Sequence, residues 1–90
     1  MKLTVRYGAQ AREAAGREGE VVDLPGPATV ARLLTHLAER HGDRLRALLL
    51  RPDGTLHPSV LVAVGDEQAR PGDALSDGQT VWVSTPISGG

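Results

Sequence analysis

One stretch organises the folding of this chain: residues 29–42, which read TVARLLTHLAERHG. Its apolar residues recur three and four positions apart, so they form a single stripe along a helix. They are Val30, Leu33, Leu34, Leu37 and Ala38. Thr29 is a favourable N-cap residue and Gly42 a favourable helix terminator, and the pattern therefore predicts an amphipathic helix from Thr29 to about His41. A helix with one apolar stripe needs one apolar surface to pack on.

The segments on either side of the helix predict that surface. Residues 2–7 alternate between polar and apolar side chains, which is typical of a half-buried strand. The predicted strands cover residues 2–7, 20–24, 59–64 and 79–84, with a short edge segment near residues 68–70. One helical turn is expected near residues 10–15, and a second short helix over residues 43–50 with Leu45, Leu48 and Leu49 inward.

This order of elements predicts an α+β protein with the β-grasp (ubiquitin-like) fold. A mixed sheet of four to five strands would pack on one main helix, because each layer has one apolar face to cover. In that arrangement the first and last strands lie side by side and parallel at the sheet centre. We expect a single β-grasp domain over residues 1–84 and a flexible C-terminal Gly-Gly tail over residues 85–90.

The tail is the segment most informative about function. Pro86 cannot continue a regular ladder, and the residues after it have little to bury. Gly89 and Gly90 carry no Cβ atom, so this backbone could enter a narrow channel in a partner. The working group would be the α-carboxylate of Gly90, activated as an acyl-adenylate and then converted to a thiocarboxylate. The alternative is a frayed terminus that ends in two glycines by chance.

Composition excludes several other classes of protein. The 90 residues suffice for one domain, and ten basic against eleven acidic side chains argue against a nucleic-acid binder. The absence of cysteine excludes disulfides and thiolate chemistry. No stretch is apolar enough for a signal peptide or a membrane span, so we expect a cytoplasmic protein that binds no membrane. Without a catalytic constellation or a phosphate loop, an independent enzyme and a bound cofactor are not expected.

Four further side chains invite a functional interpretation. His36 and His41 are five residues apart and do not converge on one helix face, so we expect surface histidines, His57 included, and no metal site. Trp82 should point outward from the sheet next to the tail, as a contact for a partner. The alternative is that a loop or the chain's own arginines cover it.

The whole chain resembles the ubiquitin-like sulfur-carrier family, which includes the small subunit of molybdopterin synthase, the thiamine-pathway carrier and the cysteine-pathway carrier. The resemblance rests on residues 2–7, on residues 9–13 with Gly16, on the helix, on Asp77-Gly78, and above all on residues 86–90, PISGG. It implies that a ubiquitin-activating-like adenylyltransferase uses ATP to activate Gly90. A sulfurtransferase or free sulfide would supply the sulfur, and a biosynthetic enzyme would accept it from a monomeric carrier.

The resemblance also implies which residues meet those partners: Pro86, Ile87, Ser88 and Gly89 of the tail, together with Arg12. For Arg12 the alternative is a solvated loop arginine. Molybdopterin synthase small subunits usually have an aromatic residue at the positions of Gly8 and Ser84, and both are missing here. Leu56-His57-Pro58 is closer to the cysteine-pathway carriers, although those often have Asn at the position of Gly65. We therefore favour a carrier for cysteine or another small metabolite, with a molybdopterin synthase subunit or a protein modifier as alternatives.

Overall fold

The computed structural model of the chain describes residues 1–85. The predictions that concern Pro86, Ile87, Ser88, Gly89 and Gly90 fall outside the described residues. Within that range the elements follow the expected order: β1 (Lys2–Gly8), α1 (Ala9–Ala15), β2 (Gly19–Asp23), α2 (Val30–His41), α3 (Asp43–Leu49), β3 (Leu61–Val64), β4 (Glu67–Gln68) and β5 (Thr80–Thr85). Over these residues, none of the helices combines the length and the apolar character needed to cross a lipid bilayer.

The five strands form one mixed sheet in the order β2-β1-β5-β3-β4. β1 and β5 are parallel neighbours at the centre of the sheet, whereas β1–β2, β3–β5 and β3–β4 are antiparallel. This topology confirms the predicted β-grasp fold. Its parallel central pair also brings the ends of β1 and β5 to the same edge of the sheet, with Gly8 opposite Ser84.

Helix α2 covers the inner face of the sheet, as its stripe predicted. The Thr29 Oγ1 atom accepts a hydrogen bond from the backbone N–H of Arg32 at 3.2 Å, which satisfies one of the free donors of the first turn. All five stripe residues are buried. They share one core with the inward side chains of the two central strands, Leu3, Val5, Val81 and Val83. Burial of each valine or leucine side chain in this core stabilises the fold by about 1.5–3 kcal/mol before the entropy of ordering the chain is subtracted.

The ends of several elements differ from the sequence prediction. Thr85 belongs to β5 rather than to the tail, because its backbone still bridges to Ala9 and its side chain is only 2% exposed. β3 begins at Leu61 instead of residue 59, since Ser59 and Val60 turn back to hydrogen-bond with His57. In α3 the inward residues are Leu45 and Leu49, and the half-buried Leu48 is not among them.

Ala9 adopts a left-handed conformation, with φ at 54°, where β1 turns into α1. This conformation is costly for a residue with a Cβ atom, and the Ala9 side chain is exposed. We expect Ala9→Gly to raise the free energy of unfolding by about 0.5–1 kcal/mol in chemical denaturation, after the extra freedom of glycine in the unfolded chain is allowed for. The matched control is Ala14→Gly. Ala14 lies in the right-handed part of α1, so this substitution should lower the free energy of unfolding by a similar amount. If both variants lowered the free energy of unfolding equally, this account of Ala9 would be wrong.

Candidate functional site

The carboxyl end of β5 lies immediately before residues 86–90 in the sequence. β5 lies between β1 and β3, so its last residues are held from both sides: Ser84 pairs with Gly8 and with Leu61. Thr85 continues the parallel pairing through its bridge to Ala9, and its side chain is buried. Helix α1 packs against the same strand. Five residues follow Thr85 in the sequence, and they start from a point that is fixed by the sheet.

The outer face of the sheet is open beside this point. Trp82 points outward and is 44% exposed, which confirms its predicted orientation, and Leu61 on β3 is 54% exposed. Together they border a shallow groove of about 250 Å³, completed by Val62, Ala63, Gln68 and Ser84. The Arg6 guanidinium lies 5.4 Å from the centre of the Trp82 ring. The alternative reading, that an arginine of the chain itself covers Trp82, is therefore correct in part, because nearly half of the ring still faces solvent.

Arg12 lies on α1, on a different element from Trp82. Its side chain is 58% exposed, and its Nη2 atom is 3.5 Å from Oε1 of Glu18, which is exposed as well. An ion pair between two solvated side chains contributes about 0–1 kcal/mol to stability. Arg12 is therefore accessible to a partner without disturbing the fold.

A buried carboxylate, which sequence reasoning missed, joins three elements near the same end of the sheet. The Glu20 side chain of β2 is 4% exposed, and its Oε2 atom accepts a hydrogen bond from the Tyr7 hydroxyl of β1 at 2.6 Å. The same oxygen is hydrogen-bonded to Nε2 of His41, in the last turn of α2. Oε1 makes no hydrogen bond among the described residues but faces two cations, Arg40 Nε at 3.3 Å and Arg17 Nη1 at 3.8 Å.

The surroundings of Glu20 favour its charged form. Burial alone would raise its pKa, but the hydrogen bonds from Tyr7 and His41 and the charge of Arg40 outweigh burial and hold the pKa of Glu20 below its ordinary value. Burial and the hydrogen bond to Glu20 raise the pKa of Tyr7, so its hydroxyl stays protonated and donates. The edge of the Tyr7 ring also meets the His41 ring, with centroids 6.1 Å apart. This cluster ties the β1–β2 hairpin to the end of α2.

The lowered pKa of Glu20 gives a prediction for acid stability. A carboxylate whose folded pKa lies below its unfolded value, 4.5 here, stabilises the fold above that pH, and the stabilisation is lost as pH falls through the folded pKa. We expect the free energy of unfolding to decrease when pH is lowered below about 4.5. The decrease should be shallower in Glu20→Gln, which has no charge to lose. Identical pH profiles of the two proteins, measured by urea denaturation, would rule out this contribution.

The expectation of three surface histidines is wrong. His41 is 10% exposed because it packs against Glu20 and Tyr7, and the ring Nε2 of the half-buried His36 is enclosed without a hydrogen-bond partner among the described residues. The His57 Nδ1 atom accepts a hydrogen bond from the backbone N–H of Ser59 at 3.1 Å, and this bond stabilises the turn before β3. Over residues 1–85, no three His, Cys, Asp or Glu side chains lie close enough together to hold a metal ion.

The fold defines the class of protein, a ubiquitin-like β-grasp domain in which residues 86–90 follow the central strand β5 directly in the sequence. A family model then matches residues 5–90, and the chain belongs to the ThiS family, which groups ubiquitin-like sulfur carriers and modifiers. A search of curated protein sequences found no match.

Solved structures extend the comparison. SAMP1 from Haloferax volcanii is 30% identical over the whole of both chains, with a TM-score of 0.89. A Pyrococcus furiosus protein assigned as molybdopterin converting factor subunit 1 is 27% identical, with 97% of this chain and 99% of that one covered and a TM-score of 0.79. A chain of the BexX/CysO complex from Amycolatopsis orientalis is also 27% identical, with coverage of 98% and 99% and a TM-score of 0.71.

Proposed function

We propose that this protein is a sulfur carrier whose reactive group is the α-carboxylate of Gly90. One observation supports this most: in a member of the ThiS family, β5 is paired on both sides up to Ser84 and on the β1 side as far as Thr85, and the sequence then continues for five residues to Gly89-Gly90. A fixed point of departure lets a partner bind the folded body and reach the terminus at a defined distance. The carrier is a co-substrate of its partners rather than an enzyme.

The chemistry requires two steps at one carbonyl carbon. A carboxylate is a poor electrophile, so one oxygen of Gly90 first attacks the α-phosphorus of ATP, which releases pyrophosphate and leaves an acyl-adenylate. A sulfide or persulfide sulfur then attacks the carbonyl carbon, and AMP leaves with the electron pair of the broken C–O bond. With sulfide the product is the thiocarboxylate; with a persulfide, a reductant must cleave the S–S bond to release it. ATP is a substrate of the partner enzyme, and the carrier itself needs no bound cofactor.

Three kinds of partner follow from this scheme: an adenylyltransferase related to ubiquitin activators, a sulfur donor (a sulfurtransferase or sulfide), and a biosynthetic enzyme that accepts the sulfur. We assign the contacts with them to the tail residues 86–89, to Trp82 and to Arg12. The exposure of Trp82 and Arg12 supports this assignment. We expect the carrier to meet these partners one at a time, as a cytoplasmic monomer.

For the acceptor, we propose biosynthesis of cysteine or of another small sulfur-containing metabolite. The similarity to a chain of the BexX/CysO complex supports this choice. The similarity to a molybdopterin converting factor subunit favours the alternative, a molybdopterin synthase small subunit. Addition of each acceptor enzyme with its substrate to the charged carrier separates the two, because only the true acceptor consumes the thiocarboxylate. The carrier is then found as an acyl adduct of the substrate or, once water has cleaved the acyl–sulfur bond, as the carboxylate.

A protein modifier is the second candidate function, and the similarity to SAMP1, a small archaeal modifier protein, favours it. In that case the Gly90 adenylate would be transferred to lysines of target proteins. Lys2 is the only lysine of this chain and lies exposed on β1, so chains of the modifier could be built through one lysine at most.

Mass spectrometry distinguishes the candidates. Incubation with an activating enzyme, ATP and sulfide should add about 16 Da as an oxygen of the carboxylate is replaced by sulfur. Gly-Gly remnants on lysines of digested host proteins would instead support the modifier. If the carrier gains no mass and no Gly-Gly remnants are found on host lysines, while the same enzyme charges another carrier, both the sulfur-carrier and the modifier function are contradicted.

A further inference from the structure

A second groove lies on the helical side of the domain, away from the sheet face that carries Trp82. Its volume is about 400 Å³, and one of its walls is a face of α3. The other wall belongs to a small hairpin that follows α3 and is closed by the bridge between Leu50 and Leu56. A hydrogen bond from the His57 N–H to the Leu49 carbonyl, 2.8 Å long, holds this hairpin to α3. We call this surface the α3 groove; its walls include Arg46, Ala47, Leu50, Arg51, Pro52 and His57.

The α3 groove carries two cations that have no counterion within residues 1–85. Arg46 and Arg51 are both exposed, and neither guanidinium forms any of the ion pairs found there at 4.0 Å or less. By contrast Arg44, also on α3, reaches Glu13 of α1 at 4.0 Å. Asp43 lines the groove one helical turn from Arg46 and is not within ion-pair distance of either cation. The groove therefore has a net positive charge.

The His57 side chain adds a neutral donor of fixed orientation. Its Nδ1 atom accepts hydrogen bonds from the backbone N–H of Ser59 at 3.1 Å and from the Ser59 hydroxyl at 2.7 Å. A backbone N–H can only donate, so Nδ1 carries no proton and the proton of the neutral ring lies on Nε2. Among the described residues this Nε2–H has no acceptor, and it is not enclosed by the protein. It is available to an acceptor on a ligand.

The shape and lining of the α3 groove indicate what kind of ligand it takes. Ala47, Leu50 and Pro52 supply apolar surface between the donors, so the ligand should combine an anion with an apolar group. Ala47 and Pro52 are exposed, and the groove is too open to enclose a small molecule, whose binding sites bury about 70–90% of the ligand surface. An extended peptide segment laid across the groove can use the same donors and the same apolar surface without being enclosed.

The α3 groove also faces away from the residues assigned to contacts with the tail's partners. Successive residues of a helix are about 100° apart, so Arg46 lies about 200° around α3 from Arg44. Arg44 faces α1, the helix that carries Arg12 and packs against β5. A protein bound in the α3 groove therefore does not have to displace one bound to α1 or to the outer face of the sheet.

We propose that the α3 groove is a docking site for a short acidic segment of a partner protein, in which a leucine or an aromatic residue stands next to carboxylates. The carboxylates accept hydrogen bonds from Arg46, Arg51 and the Nε2–H of His57, and the apolar side chain packs on the groove floor between them. This inference goes beyond the proposed function and does not depend on it, because the groove recruits a protein to the folded body and takes no part in the chemistry of Gly90.

The test is an NMR titration of the ¹⁵N-labelled full chain at about 0.15 M salt with an acetylated and amidated peptide, Glu-Glu-Leu-Glu-Glu. The amide signals of residues 46–57 should shift most, with a Kd of about 1 mM or lower. Arg46→Glu and Arg51→Glu should each raise Kd by about fivefold or more, because each removes a charge-assisted contact and adds a repulsive one. Ala47→Glu, which keeps a good helix former and places a carboxylate on the groove floor, should weaken binding as strongly. The matched control is Arg6→Glu, the same charge change on the outer face of the sheet, with Kd within about twofold of wild type. Thermal unfolding verifies that each variant is folded.

Three outcomes would overturn the docking site. The first is a spectrum of the wild-type protein that does not change up to about 10 mM peptide. The second is an equal loss of affinity in Arg46→Glu, Arg51→Glu and Arg6→Glu, which would show attraction by overall charge alone. The third is a response to inorganic phosphate, or to the peptide with alanine in place of leucine, that equals the response to the leucine peptide, because the apolar side chain should tighten binding by about threefold or more. The titration uses neither ATP nor an activating enzyme, so failure of Gly90 to be charged would overturn the proposed function and leave this result unchanged.

Discussion

Deletion of Gly90 is expected to reduce thiocarboxylate formation by at least about 100-fold and to leave the free energy of unfolding within about 0.5 kcal/mol of wild type. The shortened chain still ends in a carboxylate, on Gly89, but this group stops one residue, about 3.5 Å, short of the reacting position. An error of even 1 Å in the placement of a reacting group costs about 100-fold in rate. The buried apolar core of the described residues runs from Leu3 to Val83, so the fold does not depend on the deleted residue.

The measurement is the fraction of carrier that gains sulfur with time, by intact mass, together with a urea denaturation curve. Ser76→Ala is the matched control, because Ser76 is exposed in the loop before β5 and its substitution leaves residues 86–90 and the terminal carboxylate unchanged. We expect this variant to be charged at a rate close to that of wild type. Charging of the Gly90-deleted protein at the wild-type rate would show that the terminal glycine is not the reactive residue.

Removal of the buried carboxylate has the second large effect, on stability. Glu20→Ala should lower the free energy of unfolding by about 3–4 kcal/mol, because it leaves the Tyr7 hydroxyl and the His41 ring without their shared acceptor in a buried position. Arg40 and Arg17 are half exposed and can turn to water, so they add little to the loss.

Urea denaturation at neutral pH measures this loss. The matched control is Glu18→Ala, two residues away, where the glutamate is 69% exposed and its one ion pair within residues 1–85 is with Arg12. That substitution should change stability by less than about 0.5 kcal/mol. A loss in Glu20→Ala no larger than in Glu18→Ala would mean that the cluster does not hold the hairpin to α2.

The sequence was sufficient to predict the main architecture because the deciding signals are periodic. The helix stripe from Val30 to Ala38 and the alternation of residues 2–7 each report one buried face, and both are confirmed. The end of β5 was placed one residue early, since Pro86 indicates where a ladder must stop and does not show that Thr85 still pairs with Ala9.

The candidate site was predictable only where it depends on local pattern. Alternation with Val81 and Val83 placed Trp82 on the outer face, as found. The position of Arg6 over its ring depends on the register between β1 and β5, which are far apart in the sequence. Glu20 was missed for the same reason: Tyr7 and His41, which make a buried carboxylate tolerable, are 13 and 21 residues away.

The carrier role of Gly90 is tested most directly by fragmentation of the charged protein in a mass spectrometer. Wild-type carrier is incubated with the activating enzyme, ATP and sulfide and then fragmented without digestion. We predict a gain of about 16 Da in every fragment that contains Gly90 and none in fragments that end before it. A gain located in residues 1–85, or no gain while the enzyme releases pyrophosphate in the presence of the carrier, would contradict the assignment of Gly90 as the sulfur-bearing residue.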